Sequence, residues 1–450
     1  MSSEKRGKFF LSYLILAGGL FFVAIFLRIF PQEINQFLAS SHRIFYSLLA
    51  ILFFFSFFIN RLAPATKIPA FVWSIFFGIA LQPVLAVLEK SGSVITLTIE
   101  LIAAYILFGG GVEISFRYFK KWVGVIASLS FIGTILTALF FAVSLSWIFN
   151  KLNIFVPAAA IALVSAILSS TDPAAIIPSL EQLKFKRPYL KLIAVSESAT
   201  NDVVGVILTR FILIAITGAV ITQKPIQYFF SLAQQGTVFS FFREIVIGLI
   251  CGFLGFLALH YWAKHSKQKE IQEGTDTALY FSVPLGVFAL GGIFGGSGFL
   301  GTFLTGLFFE AETHTKKIVD FFENFVQAFG KPIIFLLLGS IVPLEVLFKT
   351  SLIGISAAFI FIFIIRPLVV FITLGPWIFQ KNSKLNFADL LFLSFIRETG
   401  VIPAALIVMI GTTLPYADYL FGIGMWVILL TLLIEPPLTP YIAKKLAVAV

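Results

Sequence analysis

The sequence predicts an all-α membrane protein that crosses the bilayer many times. Of its 450 residues, 59% are hydrophobic and only 12% are charged, and the mean hydropathy is +1.01. A soluble globular protein could not hide that much apolar surface. Apolar runs of about 20 residues favour helices over a barrel, whose strands give short alternating segments. The net charge of +10 does not indicate nucleic-acid binding, because the basic residues lie in short loops between apolar runs.

About fourteen apolar runs are long enough to span the bilayer. They cover residues 9–30, 43–60, 68–88, 94–116, 122–149, 155–180, 189–220, 238–262, 277–295, 297–311, 326–346, 352–375, 387–411 and 418–441. The first run is longer than the core of a signal peptide and no small-residue cleavage site follows it, so we expect a retained helix. The chain is therefore divided into an N-terminal tail with this additional helix, residues 1–42, and one membrane domain, residues 43–446.

Alternate loops carry clusters of lysine and arginine, which predicts that both termini are cytoplasmic. The basic loops contain Arg61 and Lys67; Arg117, Lys120 and Lys121; Lys184, Lys186 and Arg187; Lys264, Lys267 and Lys269; Lys316 and Lys317; Lys381 and Lys384; and Lys444 and Lys445. The intervening loops carry few positive charges, and no loop is long enough to fold as a separate domain. This alternation favours an even number of spans.

Polar residues interrupt the seventh run, where Glu197, Ser198, Asn201 and Asp202 lie among apolar neighbours. An uncompensated charge near the centre of a membrane helix costs about 3 kcal/mol on insertion scales, so acids at this depth indicate a function. Ser198 and Asp202 are four residues apart and share one helix face, while Glu197 and Asn201 share the neighbouring face. We expect one face to hold a cation and the other to hold the site together.

Two further runs are interrupted by proline beside polar residues, which predicts broken helices near 155–180 and 387–411. The interruptions are Thr171, Asp172 and Pro173 in one run and Arg397, Gly400 and Pro403 in the other. Proline removes a backbone donor and disfavours helical geometry in the residue before it. Broken helices at membrane depth line the ion sites of secondary transporters. Seven spans separate the two breaks, which is the separation that an inverted repeat would give.

The charges predicted to lie inside the membrane do not balance. The carboxylates of Asp172, Glu197 and Asp202 oppose the guanidinium groups of Arg366 and Arg397. If Glu197 pairs with Arg366 and Asp172 with Arg397, Asp202 has no counter-charge. A desolvated carboxylate of this kind holds either a proton or a metal cation, and a site with two competing ligands is typical of an exchanger.

We expect structural roles for the remaining polar residues. Glu398 is the exception, because its charge complicates the balance of buried acids and arginines. The charged residues expected near the membrane interfaces or in helix contacts are Glu100, Glu113, Arg210 and Glu435. Residues 296–301 fit a dinucleotide-binding pattern and the serine motif of an intramembrane protease, but neither motif has its structural context, so we expect these glycines to pack helices. An aspartyl intramembrane protease built on Asp172 and Asp202 is also disfavoured, because neither residue has the glycine setting of such enzymes.

Several motifs in this order resemble the NhaP-type sodium/proton antiporters, a branch of the cation:proton antiporter superfamily that includes the sodium/proton exchangers. The resemblance covers about 43–441. It rests on Asn60-Arg61-Leu62, Gly109-Gly110-Gly111, Thr171-Asp172-Pro173, Glu197-Ser198, Asn201-Asp202, Ser297-Gly298-Phe299-Leu300, Phe335 to Gly339, Arg366-Pro367 and Arg397. It implies about thirteen helices in a dimerisation region and a transport region with two crossed broken helices, and a fourteenth helix at residues 9–30.

By this resemblance, Asp202 is the cation- and proton-binding carboxylate, and Ser198 and Thr171 supply further ligands to the transported cation. Asn201 is counted with these cation- and proton-binding residues, and its place beside Asp202 is similar to the electroneutral branch. Glu197 would pair with Arg366, and Asp172 with Arg397. Many relatives carry glycine where this chain has Glu398, which affects the charge balance.

The resemblance implies alternating-access exchange of sodium or lithium for protons in a bacterial inner membrane, by a homodimer that is no enzyme and needs no cofactor. A potassium/proton antiporter is the alternative within transport, and a cation channel or sensor is the alternative outside it. Antiport couples proton movement to a cation gradient, whereas a channel conducts without a counter-ion and a sensor does neither.

Overall fold

The computed structural model describes residues 41–66, 68–89, 92–172, 183–217, 237–266, 273–380, 384–410 and 416–449, together with Gly18, Ile176, Leu180 and Gln227. The additional helix predicted at residues 9–30 lies outside the described residues apart from Gly18. The predicted domain boundary at residue 42 stays a prediction; the first long helix within the described residues is Ser41–Thr66.

The described part of the chain is built from helices. They are α1 Ser41–Thr66, α2 Ala70–Glu89, α3 Gly92–Val112, α4 Phe116–Lys151, α5 Ala158–Ile167, α6 Tyr189–Thr217, α7 Thr237–Ser266, α8 Glu273–Ile293, α9 Gly298–Phe308, α10 Lys316–Ile341, α11 Leu344–Ile378, α12 Phe387–Leu393, α13 Val401–Ile410 and α14 Ala417–Lys445. Among these residues, nine helices are long and apolar enough to cross a membrane, and four shorter apolar helices accompany them. Each apolar run predicted from residue 43 onward overlaps a helix or, at 387–411, the pair α12 and α13, so the predicted fold class is confirmed. In the run 155–180 the overlap is with α5 alone, and residues 173–175 and 177–179 lie outside the described residues.

Helix α6, which carries the polar cluster, lies at the centre of the molecule. In its most apolar stretch 94% of the residues are buried, whereas the corresponding shares are 28% in α7 and 22% in α8. The outer helices therefore present their apolar side chains to the surroundings, and α6 is enclosed by protein. This position explains how a membrane helix tolerates Glu197 and Asp202, because neighbouring helices replace the water that those side chains lose.

Glycines bring two helix pairs into backbone contact around this centre. Gly78 of α2 lies against Gly339 of α10, and Gly111 of α3 lies against the backbone of α9 near Gly306. Small residues at such crossings allow close packing in a membrane, where dispersion contacts replace a hydrophobic driving force. The glycines of residues 296–301 also pack against α7 and α8, as expected.

Three of the long helices contain a short π-helical segment. These segments are Ser128–Gly133 in α4, Val326–Gly330 in α10 and Phe361–Ile365 in α11. The first and third border the polar centre, since Ser130 donates to the backbone carbonyl of Glu197 at 3.1 Å and Arg366 follows the third segment directly. Such segments are frequent at functional sites.

Candidate functional site

The two predicted broken helices cross in the middle of the molecule. Helix α5 ends at Ile167 and the chain is non-helical at 170–172, while residues 396–400 are non-helical between α12 and α13. The backbone N–H of Asp172 donates to the carbonyl of Glu398 at 2.8 Å, and the N–H of Val401 donates to the Asp172 carboxylate at 3.2 Å. The crossing is therefore confirmed as a direct backbone contact; Pro173 lies outside the described residues.

Side chains from three helices satisfy the backbone groups that the breaks leave without helical partners. Thr171 N–H donates to the Asn201 carboxamide oxygen at 3.0 Å, and Thr399 N–H donates to the Thr431 hydroxyl at 3.2 Å. The guanidinium of Arg366 donates to the carbonyl of Ile396 at 3.2 Å. Irregular backbone at membrane depth is stable only with such partners, so these contacts stabilise the polar crossing.

Thr171, Ser198 and Asn201 form one hydrogen-bonded cluster. The hydroxyl oxygens of Thr171 and Ser198 are 2.8 Å apart, and the Asn201 amide nitrogen donates to the Thr171 hydroxyl at 2.9 Å and to the Glu197 carboxylate at 2.9 Å. All four side chains are buried. Asn201 thus connects the first broken segment to the face of α6 that bears Glu197.

Glu197 and Arg366 form a bidentate ion pair in the interior. The two guanidinium nitrogens donate to the two carboxylate oxygens at 3.1 and 2.9 Å, and both side chains are only 2% exposed. This fork geometry is the strong form of the interaction, because it adds directional hydrogen bonds to the attraction of opposite charges. The pair joins α6 to α11 and, through the Ile396 contact of Arg366, to the second broken segment.

Arg397 lies at the crossing, but it does not donate to Asp172 as expected. Its guanidinium donates to the Thr137 hydroxyl at 3.0 Å and to the carbonyl of Ser169, and it lies 4.6 Å above the ring centre of Phe361. The Asp172 carboxylate instead accepts the N–H of Val401 at the start of α13. Arg397 therefore contacts the first broken segment through the backbone rather than through the acid.

Asp202 lines a narrow cavity beside the crossing. It is 2% exposed, and its Oδ1 atom has no hydrogen-bond partner among the residues that the structure describes. The same cavity is lined by Asp172, by Gly109 and Gly110 of α3, and by Glu323 and Lys331 of α10. An oxygen that faces a polar cavity without a partner is available to a proton or to a cation.

Several cavity-lining residues were missed by sequence reasoning. Glu323, Gln327 and Lys331 line the cavity from α10, and Glu113 lines it from the turn after α3. Glu113 was expected near an interface or in a helix contact, and the predicted apolar run began only at residue 326, after Glu323. The available signal was that Glu323, Gln327 and Lys331 follow one another at intervals of four residues, which places their side chains on one helix face.

The groups around Asp202 include hydroxyls and several acids. The hydroxyls of Ser198 and Thr171 contact each other, and the cavity that Asp202 lines is also lined by Asp172, Glu113 and Glu323. Within the described residues no group of three or more His, Cys, Asp or Glu side chains is arranged to hold a metal ion. Oxygen atoms of these kinds are the ligands that hard cations prefer.

Comparisons with known proteins agree with this architecture. A family model described as "Sodium/hydrogen exchanger, transmembrane" matches residues 53–445. The K(+)/H(+) antiporter NhaP2 of Shewanella sp. (strain MR-4) is 28% identical over 341 residues, which make up 75% of this chain and 55% of that protein. The probable Na(+)/H(+) antiporter 2 of Methanocaldococcus jannaschii is 26% identical over 394 residues, covering 82% of this chain and 85% of that protein. The chain thus spans about half the length of the NhaP2 relatives that it matches.

A solved structure supports the same relationship at the level of the fold. The sodium proton antiporter MjNhaP1 from Methanocaldococcus jannaschii superposes with a TM-score of 0.73 at 21% identity, over 90% of this chain and 99% of that one. The resemblance drawn from the sequence motifs is confirmed by the family model, which covers most of the chain. This multi-pass membrane protein belongs to the sodium/hydrogen exchanger family.

Proposed function

We propose that the protein is a secondary antiporter that exchanges sodium or lithium for protons, with Asp202 as the common binding group. One observation carries the proposal: a buried carboxylate with an unpartnered oxygen lines a cavity at the crossing of two broken helices. An isolated buried carboxylate is costly, so Asp202 must hold either a proton or a cation. Two ligands that exclude each other at one site give obligatory exchange when the site faces the two sides of the membrane in turn.

The neighbouring residues are proposed to complete the cation site. Ser198 and Thr171 are the further oxygen ligands of the metal ion, and their 2.8 Å contact brings both hydroxyls to the face of α6 that carries Asp202. Asn201 positions Thr171 through its hydrogen bonds. Ser198 and Asp202 come from α6, and Thr171 comes from the non-helical segment 170–172, whose backbone N–H groups are held by hydrogen bonds to Asn201 and Glu398.

The charged residues outside the ligand set are proposed to hold the transport core together. Glu197 and Arg366 fasten α6 to α11 through the bidentate pair. Asp172 fastens the first broken segment to the start of α13, and Arg397 fastens the second segment to Ser169. No redox group or cofactor has a part in this mechanism.

The exchange is proposed to be electroneutral. One proton on Asp202 replaces one monovalent cation, so the loaded site has the same net charge in both halves of the cycle. Asn201 contributes no second charge next to Asp202, and the Glu197 charge is offset by Arg366. A membrane voltage then does no work on either loaded form.

Potassium/proton exchange is the second candidate function. It is favoured by the similarity to relatives whose names state K(+)/H(+) antiport, whereas the archaeal relatives are named as Na(+)/H(+) antiporters. The ligand types are shared by all three alkali cations, so the selectivity depends on the size of the site.

The cellular setting is proposed from the charge pattern of the loops and from the family resemblance. Basic loops on alternate sides favour cytoplasmic termini in a bacterial inner membrane, with residues 43–446 as one antiporter domain and residues 1–42 as its N-terminal tail. A homodimer with separate dimerisation and transport regions follows from the resemblance. The exchange of protons for cations would serve pH homeostasis.

Transport in proteoliposomes tests the proposal. Sodium, lithium and potassium gradients are applied to the native protein and to Asp202→Asn, with the voltage clamped by potassium and valinomycin in the sodium and lithium experiments. Asp418→Asn changes an exposed aspartate at the start of α14 and is the matched control. We expect cation-driven proton flux that is lost only in Asp202→Asn. Flux that persists in that variant contradicts the proposed site, and conduction without a counter-ion indicates a channel.

A further inference from the structure

Glu398 and Glu435 are buried acids that the proposed exchange at Asp202 does not use. Both residues are 0% exposed. Across the described residues, none of their four carboxylate oxygens has a hydrogen-bond partner. Burying an ionised carboxylate without partners costs several kcal/mol, so these groups need an explanation beyond packing.

The contacts of α14 place these two glutamates opposite each other. Thr431, Glu435 and Thr439 are spaced by four residues and share one face of the helix. The Thr431 hydroxyl accepts the N–H of Thr399 at 3.2 Å, and the Thr439 hydroxyl contacts the carbonyl of Phe395 at 3.4 Å. These two contacts align α14 with the non-helical segment 396–400 near both of its ends. Glu435 therefore lies against the middle of that segment, where Arg397 is followed by Glu398.

Charged groups from every neighbouring element face this pair, but they do not neutralise it. Arg397 precedes Glu398 in the same segment, Arg366 of α11 contacts that segment at the carbonyl of Ile396, and Asp172 contacts it at the carbonyl of Glu398. The Arg366 guanidinium is already engaged with Glu197. That of Arg397 donates to Thr137 and Ser169.

Two adjacent buried carboxylates cannot both be ionised without a large repulsion, as in the carboxylate pairs of aspartic proteases. One proton removes this repulsion, because a protonated carboxyl can donate its O–H to the carboxylate opposite. The remaining single negative charge then faces Arg397. A single proton thus gives two of the four unpartnered oxygens a hydrogen-bond partner and lowers the number of buried negative charges by one.

We propose that Glu398 and Glu435 form a second proton-binding site, in which one proton is held between the two carboxyl groups. This site lies on the backbone segment whose Glu398 carbonyl accepts the Asp172 N–H, so its charge acts directly on the crossing. It is distinct from Asp202 and does not depend on the exchange proposed there.

Infrared spectroscopy of the full-length protein tests the pair in an Asp202→Asn background, which removes the main site from the spectrum. At mildly alkaline pH the parent should show a protonated-carboxyl band. Glu398→Gln and Glu435→Gln should each remove one carboxyl equivalent of this band, because either change leaves a single carboxylate beside Arg397. Glu345→Gln, which changes an exposed glutamate at the start of α11, should leave the band unchanged.

Each outcome decides for or against the pair. A band whose intensity is unchanged in either glutamine variant overturns the shared proton. A band that disappears from the parent when sodium is added also overturns it, because the pair would then hold a metal cation. If a variant does not fold, carbon-13 labelling of the glutamate carboxyls in the parent replaces it: the band must shift, and an unshifted band rejects the proposal.

Discussion

Gly400 lies directly against Asp172 where the two broken helices cross, and a methyl group on its Cα would overlap the Asp172 side chain. The two segments can therefore come this close only because residue 400 has no side chain. The carboxylate that fills this space also accepts the N–H of Val401, so the close approach and the hydrogen bond depend on each other.

Gly400→Ala is expected to destabilise the protein by about 1–3 kcal/mol, because the methyl group forces the crossing apart. Transport should fall with it. Gly375→Ala is the matched control, since nothing lies within 4 Å of a Cβ at that helical position, and alanine favours a helix over glycine. Thermal unfolding in detergent and flux in proteoliposomes measure both effects. Equal stability of the two variants would show that the segments do not touch in the working protein.

Breaking the buried pair on one side is expected to be more damaging than removing both charges. Glu197→Gln or Arg366→Gln leaves an uncompensated buried charge and should cost about 3–5 kcal/mol, whereas the double variant should recover part of that loss. Arg187→Gln is a useful comparison, because Arg187 pairs with Asp389 at 2.7 Å but remains 28% exposed. A double-mutant cycle on unfolding stability measures the coupling. Additive losses would contradict a direct ion pair.

Competition between protons and the cation at Asp202 predicts the direction of the pH dependence. Lowering the pH protonates the carboxylate and reduces the fraction of sites that are free for sodium. The apparent KM for sodium should therefore rise as the pH falls, by up to about tenfold per pH unit once the proton form predominates. Initial rates at several sodium concentrations and pH values measure this. An apparent KM that does not change with pH would exclude a shared site.

Asn201→Asp should destabilise the protein in a pH-dependent manner. Asn201 donates its amide N–H to the Glu197 carboxylate at 2.9 Å, and an ionised aspartate would instead repel that carboxylate. A protonated aspartate can donate again, so the loss should be greatest at high pH and should diminish as the pH falls. Unfolding midpoints across the pH range measure it, with Asn324→Asp on the exposed side of α10 as the control. A loss that is independent of pH would argue against the contact.

Weakening the proposed ligands should affect cation binding more than folding. Thr171→Ser keeps a hydroxyl within reach of Ser198 and should retain transport, whereas Thr171→Ala and Ser198→Ala should each raise the apparent KM for sodium several-fold. The loss of one hydrogen-bonding oxygen is typically worth about 1 kcal/mol, or a factor of about five in affinity. Unchanged apparent KM values in both alanine variants would remove these hydroxyls from the ligand set.

The sequence was sufficient for the fold because hydrophobic length is a physical requirement of the bilayer. A helix that crosses about 30 Å of hydrocarbon needs about 20 apolar residues, and the predicted runs from residue 43 onward therefore match the helices closely. The polar cluster of α6 was also identifiable, since acids inside an apolar run are conspicuous. Proline and glycine marked both breaks for the same reason.

The partners of the buried charges could not be predicted from the sequence. The balance of charges suggested that Asp172 pairs with Arg397, but the geometry of the crossing directs the Asp172 carboxylate to a backbone N–H of α13. Glu435 was expected in a helix contact or at an interface. Its burial beside Glu398 follows from the contacts of α14 with the non-helical segment that contains Glu398. Contacts of this kind depend on the three-dimensional approach of distant segments, which periodicity does not encode.

The π-helical segment Phe361–Ile365 in α11 determines the direction of the Arg366 side chain that follows it. Such a segment behaves as one residue inserted into an α-helix, and each residue turns the helix by about 100°. Deleting one residue there would restore regular winding and rotate Arg366 away from Glu197. The extra residue of this segment is therefore needed, because the ion pair of the Arg366 guanidinium with Glu197 depends on it.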